Sequence, residues 1–553
     1  MKHIIPVLVL SLGFSVCQAQ VAEPCDCVQL QGDITANTTL SAENCYVLNG
    51  CVTVKAGYSI TMDPGVRVFG MKSTNGALIV EPDAQIFING TSNNPVIMTS
   101  DQTIGNRAKG DWQGLAIAGE ATNNQSNDID VDWSCVIPSG GTDDNDNSGE
   151  IHYLQIHYAG SNSNYGALTL ASVGRGTEIE HVQITNSAND GFQFLGGTVD
   201  VGHLTAYDNE GYDLRAEFGY RGRGQYFTFI RKDINAYLAG GSGGILLSNS
   251  FTSPNFSETP KTHPVFSNVT ILGPKHCYGN TLSSNYAGIT VQNNSEGAIV
   301  NSMISGAITG LRVLGASTVL NANNEDLHVA YNSFYNNATN FSSNPSNFDQ
   351  SGTFCVSTID DWMIDNFIGC EEPSNDLMGS APGYSSTICN SSYCGSGNRP
   401  SFVLSTDNLQ SSQFPSGTDW DDVFFDQSLA YVGAIGATDW TSSYTDWCPE
   451  EIDYCPELMR KAEPKDQGRS ELEIVPNPAS GIANAIFTSE YVGRGKISVV
   501  NKMDGQALIE APITIEKPGA QRIPIDVRKL RPGSYIVKVE LGARVVYGQV
   551  MVL

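Results

Sequence analysis

Helical periodicity is nearly absent from these 553 residues. That excludes a helical bundle and leaves β structure as the means of burying a core. Charge is sparse at 16% and one-sided, with 30 Lys+Arg against 58 Asp+Glu and a net charge of −28. A surface of this sign repels phosphate backbones, so no nucleic-acid partner is expected. It also repels acidic polysaccharide unless divalent cations intervene. Past the first twenty residues, no run approaches the ~20 apolar residues that a spanning helix needs, so no transmembrane segment is expected. Ready-made catalytic signatures are missing too. Neither H-E-x-x-H nor a P-loop occurs, and Ser/His/Asp triads cannot be read from spacing. No CxxC pair occurs to join a His pair in a zinc site, which leaves disulfides as the reading of the cysteines.

The opening "MKHIIPVLVLSLGFSVCQAQ" has a basic start at Lys2 and His3, an apolar run from Ile4 to Val16, and small residues at the Cys17-Gln18-Ala19 step. These features predict a secretory signal peptide over 1–19, cleaved after Ala19. A lipobox at Cys17 would need a small residue where Val16 stands. Removing Cys17 from the 13 cysteines leaves an even number. They gather at Cys25, Cys27, Cys45 and Cys51, at Cys355, Cys370, Cys389 and Cys394, and at Cys448 and Cys455, with Cys135 and Cys277 apart. In an exported chain this pattern predicts disulfides that lock the two ends of a body, with the connectivity open.

Short apolar runs broken by Gly, Asn, Asp and Ser fill the chain from about Val28 to Tyr335, and they repeat. "HVQITNS" starts at His181 and "HLTAYDN" at His203, 22 residues later, and Thr228 lies 22 after Ala206. "NVTI", "NSMI" and "NSFY" begin at Asn268, Asn301 and Asn332, at spacings of 33 and 31. A period just above 20 with one strongly apolar strand per turn predicts an all-β, right-handed parallel β-helix over 20–350. No rung can bury its inward side chains alone, so stacking neighbours must make the core. A β-sandwich also supplies short strands but gives no reason for the period. From 351 to 455 the texture becomes loop-rich with cysteines, which predicts a disulfide-braced cap over the solenoid end. A polar linker at 456–469 follows. Residues 470–553 alternate apolar strands with turns at "PNPASG", "NKMDGQ" and "LRPGSY", predicting a small Ig-like antiparallel sandwich. From Arg469 to Leu553 the chain carries 11 Lys+Arg against 8 Asp+Glu, so the acidity belongs to the body.

Pro476-Asn477-Pro478, Asn501 with Gly505, and Leu530, Pro532, Gly533, Tyr535 and Val537 give the last module its resemblance to a known family. It resembles the type A C-terminal sorting domain of the type IX secretion system of Bacteroidetes. That resemblance implies the type IX machinery as a partner, translocation across the outer membrane, and a secreted or cell-surface location. The "GQVMVL" ending departs from the family, which often has a basic residue there. In the body, "GDWQGLAIAG", "DNDNSGEIHYLQIHYAG", "LTLASVGRGTEIEHVQI", "NDGFQFLGGTVDVGHL" and "YVGAIGATDW" resemble large secreted Bacteroidetes proteins predicted to be parallel β-helices. This second resemblance implies fold and location but no activity.

Two patterns are candidates for chemistry. Asp144, Asp146 and Ser148 precede Gly149 as D-x-D-x-S-G, oxygen donors on alternating residues around a Gly turn, with the Glu150 carbonyl in reach. That suits calcium as a cofactor, but Gln155 stands where an EF-hand has its bidentate Glu. Asp190, Asp208, Glu210, Asp213 and Glu217, followed by Arg215, Arg221 and Arg223, stand on rungs ~4.8 Å apart and could assemble a lyase or glycosidase site. Asp190, Asp208, Asp213, Glu217 and Arg221 are the catalytic candidates. His181 and His203 are expected to stack as a solvent-facing pair, with a pH-sensitive or ligand role as the alternative. Trp112, Tyr153, Tyr158, Tyr212, Tyr220 and Tyr226 are candidate sugar platforms. Acidic turns are ordinary in solenoids, so the first expectation is a non-enzymatic protein for adhesion or glycan binding. A carbohydrate-active enzyme is the alternative.

Overall fold

The computed structural model describes residues 26–553 except 126–128, 133–135, 162–163, 233–240, 251–255, 279–284, 355, 365–374, 380–393, 395–398, 404–412, 415–422, 430, 456–471, 490, 502–506 and 542–543. The expected signal peptide and linker, together with Cys17, Cys25, Cys135, Cys355, Cys370, Cys389 and Gly505, lie outside the described residues. The chain divides into two compact units, 1–459 and 460–553.

The first unit is a coil of parallel strands in one continuous sheet. Its rungs are clearest in the middle. Strands Gly149–His157, Glu178–Thr185, Asp200–Tyr207, Arg223–Ile230 and Val265–Leu272 stack on one side. Leu168–Ala171, Phe192–Leu195, Tyr212–Glu217 and Gly243–Ser248 stack on another. The alternation of side chains on a strand sends every second residue inward, and the register lines these up. Leu154, Val182, Leu204, Phe227 and Val269 form one inward file, and Leu168, Phe192, Leu214, Ile245, Ile289, Leu311 and Phe341 another. All belong to one buried cluster that runs the length of the coil. The register corrects two details of the repeat. Thr228 faces Thr205 rather than Ala206, and Asn332 stands opposite Ser302 rather than Asn301, its Oδ1 accepting from the Ser302 N–H at 2.8 Å.

The corners that bend these long strands need left-handed backbone, and here bulky residues supply it. Tyr153, His181, His203, Tyr226, Asn268 and Asn301 have φ of 52°, 59°, 53°, 68°, 55° and 52°. For non-glycine residues this region costs about 1 kcal/mol or more each. Stacking along the file offsets that cost. Tyr153 and His181 have ring centroids 4.3 Å apart, His181 and His203 4.3 Å at 4° between planes, and His203 and Tyr226 4.6 Å.

The segment expected to cap the solenoid divides in two. Its first part does close the end, with Val356, Ile359, Trp362 and Met363 joining the coil's core beside Phe341 and Phe348. In the second part Gln413 and Gly433 both stand at Asn301, with Asp426 at Gln225 between them, and from Gly433 to Cys455 the chain is a strap that runs back along the flank toward the first rungs. The Gln413 N–H donates to Asn301 Oδ1, and the Asp426 N–H to Gln225 Oε1. The Ala434 N–H donates to Thr270 Oγ1. Gln183 exchanges two bonds of 2.7 Å with the backbone of Asp446. Tyr454 finally packs on Cys45 and Phe69. Outward Gln, Asn and Thr side chains on several rungs supply these bonds, so a segment that forms no strand among its described residues keeps these backbone groups paired. Arg107 secures the strap's end by donating to Pro449 and Ile452 carbonyls at 2.7 and 2.8 Å. Disulfides join Cys27 to Cys45 at the first rungs and Cys394 to Cys448 at the strap. Cys51, Cys277 and Cys455 are disulfide-bonded too.

The second unit is a sandwich of a three-stranded and a four-stranded antiparallel sheet around a separate core that includes Phe487, Val499, Val537 and Val550. Asn477 ties its first turn to its last strand, donating to the Gln549 carbonyl and accepting from the Met551 N–H, each at 2.8 Å. Tyr535 is buried and donates to the Arg531 carbonyl at 2.7 Å, bracing the turn that holds Pro532 and Gly533. Pro476 and Pro478 flank Asn477 in that first turn.

Candidate functional site

The three short strands Leu168–Ala171, Phe192–Leu195 and Tyr212–Glu217 turn Gln193, Leu195, Arg215 and Glu217 outward, because the inward places belong to Leu168, Phe192 and Leu214. A β-hairpin, Ile129–Asp132 with Val136–Ser139, covers part of that face and packs Ile129, Val131 and Ile137 against Ala171 and Leu195. Where the hairpin stops, a pocket of about 330 Å³ remains, lined by Ile129, Asn164, Tyr165, Asn189, Asp190, Gln193, Leu195, Arg215, Glu217 and Phe218.

The polar groups of this pocket are held in place from behind. Asp190 sits in the turn before its strand and reaches one rung down. Its Oδ1 accepts from the Tyr212 N–H at 2.6 Å, and Oδ2 accepts from Arg215 Nε. Arg215 Nη1 lies 3.5 Å from Glu217 Oε1, so one guanidinium bridges two carboxyls. Gln193 Oε1 accepts from the Gly166 N–H at 2.9 Å, and Nε2 donates to the Asn164 carbonyl at 3.2 Å. The Tyr165 hydroxyl donates to the Asp130 carbonyl of the hairpin. Burial pushes the Glu217 carboxyl up to about 7. Arg215 opposes that rise and the Asp190 charge adds to it. A group titrating near neutrality beside an anchored carboxylate is what acid–base chemistry requires.

The structure brings only two of the five catalytic candidates together in this pocket, Asp190 and Glu217. Asp213 is fully buried and pairs with Arg231 Nη2 at 3.4 Å and with the Tyr286 hydroxyl at 3.2 Å. Burial outweighs these partners and raises it to about 6. Asp208 stands at another corner, where its Oδ1 accepts from the Lys232 N–H at 2.5 Å. Arg221 turns to Asp144, 3.0 Å away. Tyr165, Asn164, Asn189 and Gln193 are site residues that sequence reasoning missed. Gln193 and Arg215 share one outward file, a signal readable once the rungs are aligned.

That Arg221 contact bears on the calcium turn. Burial would raise Asp144, but the Thr122 N–H and Arg221 outweigh it and hold the carboxyl below its usual range. Asp146 turns to Ser148 Oγ at 3.1 Å and the Gly174 N–H at 3.3 Å, and burial raises it. Glu150 is exposed on the next strand. An ion at this turn would have to displace a guanidinium from one ligand. Among the described residues, Glu180, His181 and His203 come within metal-binding reach of one another. So do Cys394, Cys448 and Glu450, although those two sulfurs are joined to each other.

The aromatic candidates are not open platforms. Trp112 and Tyr220 are fully buried, donating to the His157 and Val199 carbonyls at 2.8 Å, and Tyr158 and Tyr212 are buried as well. Tyr153 and Tyr226 are the outer members of the corner stack. Nor do the two histidines between them face solvent freely. Trp440 of the strap meets His203 edge-on at 5.0 Å, and Tyr444 meets His181 at 5.6 Å. Burial, with His203 and His152 adding to it, pushes His181 down to about 3.

A coil of parallel rungs with its own side strap, followed by a separate sandwich, defines a parallel β-helix protein. Residues 32–367 match the family described as pectate-lyase like beta helix domain, and the chain belongs to that family. Residues 473–552 match the secretion system C-terminal sorting domain. The last module is therefore a type IX sorting domain, which implies a Bacteroidetes origin. It directs the chain through the type IX machinery to the cell surface or the medium. No helix among the described residues is long and apolar enough to cross a membrane. No curated protein matches the chain. Among solved structures, the enzymatically active domain of tailspike protein 2 of bacteriophage CBA120 is similar over 93% of this chain and 72% of that one. The identity is 12% and the TM-score 0.30, a likeness that bears on neither ligand nor chemistry here.

Proposed function

We propose that this exported β-helix protein binds glycan at the pocket between the hairpin and the Phe192–Leu195 and Tyr212–Glu217 strands, serving adhesion rather than turnover. One observation carries the reading. Planar amide, guanidinium and carboxyl groups of Asn164, Asn189, Gln193, Arg215 and Asp190 converge with the Tyr165 and Phe218 rings in a cavity of about 330 Å³. That volume lies at the small end of ligand sites, and such groups match paired sugar hydroxyls in direction and spacing. Screening the purified full chain against neutral and acidic glycans tests it. A saturable ligand is expected, with affinity falling at least about tenfold in Gln193→Ala, the loss of two or so hydrogen bonds. No ligand in the screen, or binding indifferent to Gln193→Ala, overturns it.

The second reading, a glycan-cleaving enzyme, is favoured by Glu217 titrating near neutrality beside Asp190. Release of shortened product by the wild type, abolished in Glu217→Gln, would establish it. Saturable binding with no product would remove it.

A further inference from the structure

Outside that pocket, on the flank under the strap, three metal-ligating side chains from two adjacent rungs meet. We propose that Glu180, His181 and His203 form a binding site for a divalent transition ion of the zinc type. Their ligand atoms all lie within 4.8 Å of one another. Glu180 Oε2 stands 2.7 Å from His203 Nδ1 and 3.7 Å from His181 Nδ1. Two donors bound tetrahedrally to one zinc ion sit about 3.4 Å apart, so these separations bracket what an ion needs. Two imidazoles and one carboxylate are a borderline-soft set that suits zinc, nickel or copper rather than calcium. The three side chains keep 20–31% of their surface exposed, so a hydrated ion reaches them and retains water at an open position.

A second feature supports a built site. Residue 202 faces Glu180 in the rung register and is glycine. A Cβ there would clash with both Glu180 carboxylate oxygens. The missing side chain is what lets Glu180 lean across to the next rung and reach His203. The imidazole planes lie 4° apart, so their in-plane lone pairs run side by side. Binding therefore turns one ring about its Cβ–Cγ bond until both lone pairs converge. That turn breaks a stack with Tyr153 or Tyr226, which makes it visible.

The test titrates Co²⁺ into the tag-free full chain, follows visible absorption and near-ultraviolet circular dichroism, and then competes with Zn²⁺. One equivalent is expected, with a change in the tyrosine signal. Binding should be lost in His203→Gln and weakened at least about tenfold in Gly202→Ala, in the range seen when groups that orient a ligand are removed. Gly202→Ala keeps all three ligands and displaces only the tip of a flexible side chain, so its fold should survive, as an unchanged metal-free melting temperature would confirm. His263→Gln, in the separate His263–Glu296 pair, should leave binding unchanged. Failure of the wild type to bind Co²⁺, or binding that persists in both His203→Gln and His181→Gln, overturns the site. Equal affinity in Gly202→Ala overturns the role of Glu180.

Discussion

At the scale of single residues, Glu217 makes a sharp claim. Its carboxyl titrates at about 7 in the folded chain against an ordinary value of 4.5, so the folded state holds that proton more tightly than the unfolded state. The resulting stabilisation is complete below the ordinary value and is lost as pH rises through about 7. Melting temperature measured from pH 5 to 8 should therefore fall in the wild type. In Glu217→Gln the same window should be flatter, because the amide stays neutral throughout. An identical slope in both proteins would mean that Glu217 is ionised across the range. The residue was legible as a candidate because acidic residues gather on neighbouring rungs between Asp190 and Glu217. Its separation from Asp208 and Arg221 was not legible, since neighbouring residues of a turn leave the coil at different corners. His181 and His203 show the opposite case. Their spacing of 22 residues is no use to a local ligand search, yet it is one rung, and one rung places the rings in contact.

At the scale of elements, the strap is the least expected part. The period announced the strands, because inward files such as Leu154, Val182 and Leu204 repeat at fixed intervals. Nothing periodic announces a segment whose partners lie hundreds of residues earlier. Gln183 and Asp446 are 263 positions apart, and the Gln183 side chain binds backbone groups of Asp446 that any residue carries. The texture of 351–455 therefore indicated a cover but not which surface it covers. Gln183→Ala leaves a buried N–H and C=O of the strap without partners, a loss of about 2–4 kcal/mol confined to that contact. Limited proteolysis should then cut the strap near residues 439–447 faster than in the wild type, while the rungs stay resistant. Equal cleavage rates would mean that the neighbouring contacts hold the strap alone.

At the scale of the whole molecule, two cores imply two independent foldings. The sandwich buries Phe487, Val499, Val537 and Val550 among its own strands, and the coil's cluster includes none of its residues. Deleting 473–553 should therefore leave the body's melting transition in place while the chain stays in the periplasm, read by fractionation of a type IX-competent host. Appearance of the truncated chain outside the cell would contradict the sorting role. In the sequence, turn motifs and charge change together near residue 470, which is why a separate module is expected there. The body has a further property of its own. A solenoid with free ends can gain or lose a turn at little cost, because each turn touches only its neighbours. Here the segment from Gly433, anchored at Asn301, to Tyr454, packed on Cys45 and Phe69 at the first rungs, acts as a ruler. Inserting one more turn between those anchors would lengthen the flank by ~4.8 Å while the ruler stayed the same. Evolution can therefore change the number of turns in this stretch only by remaking the ruler with it.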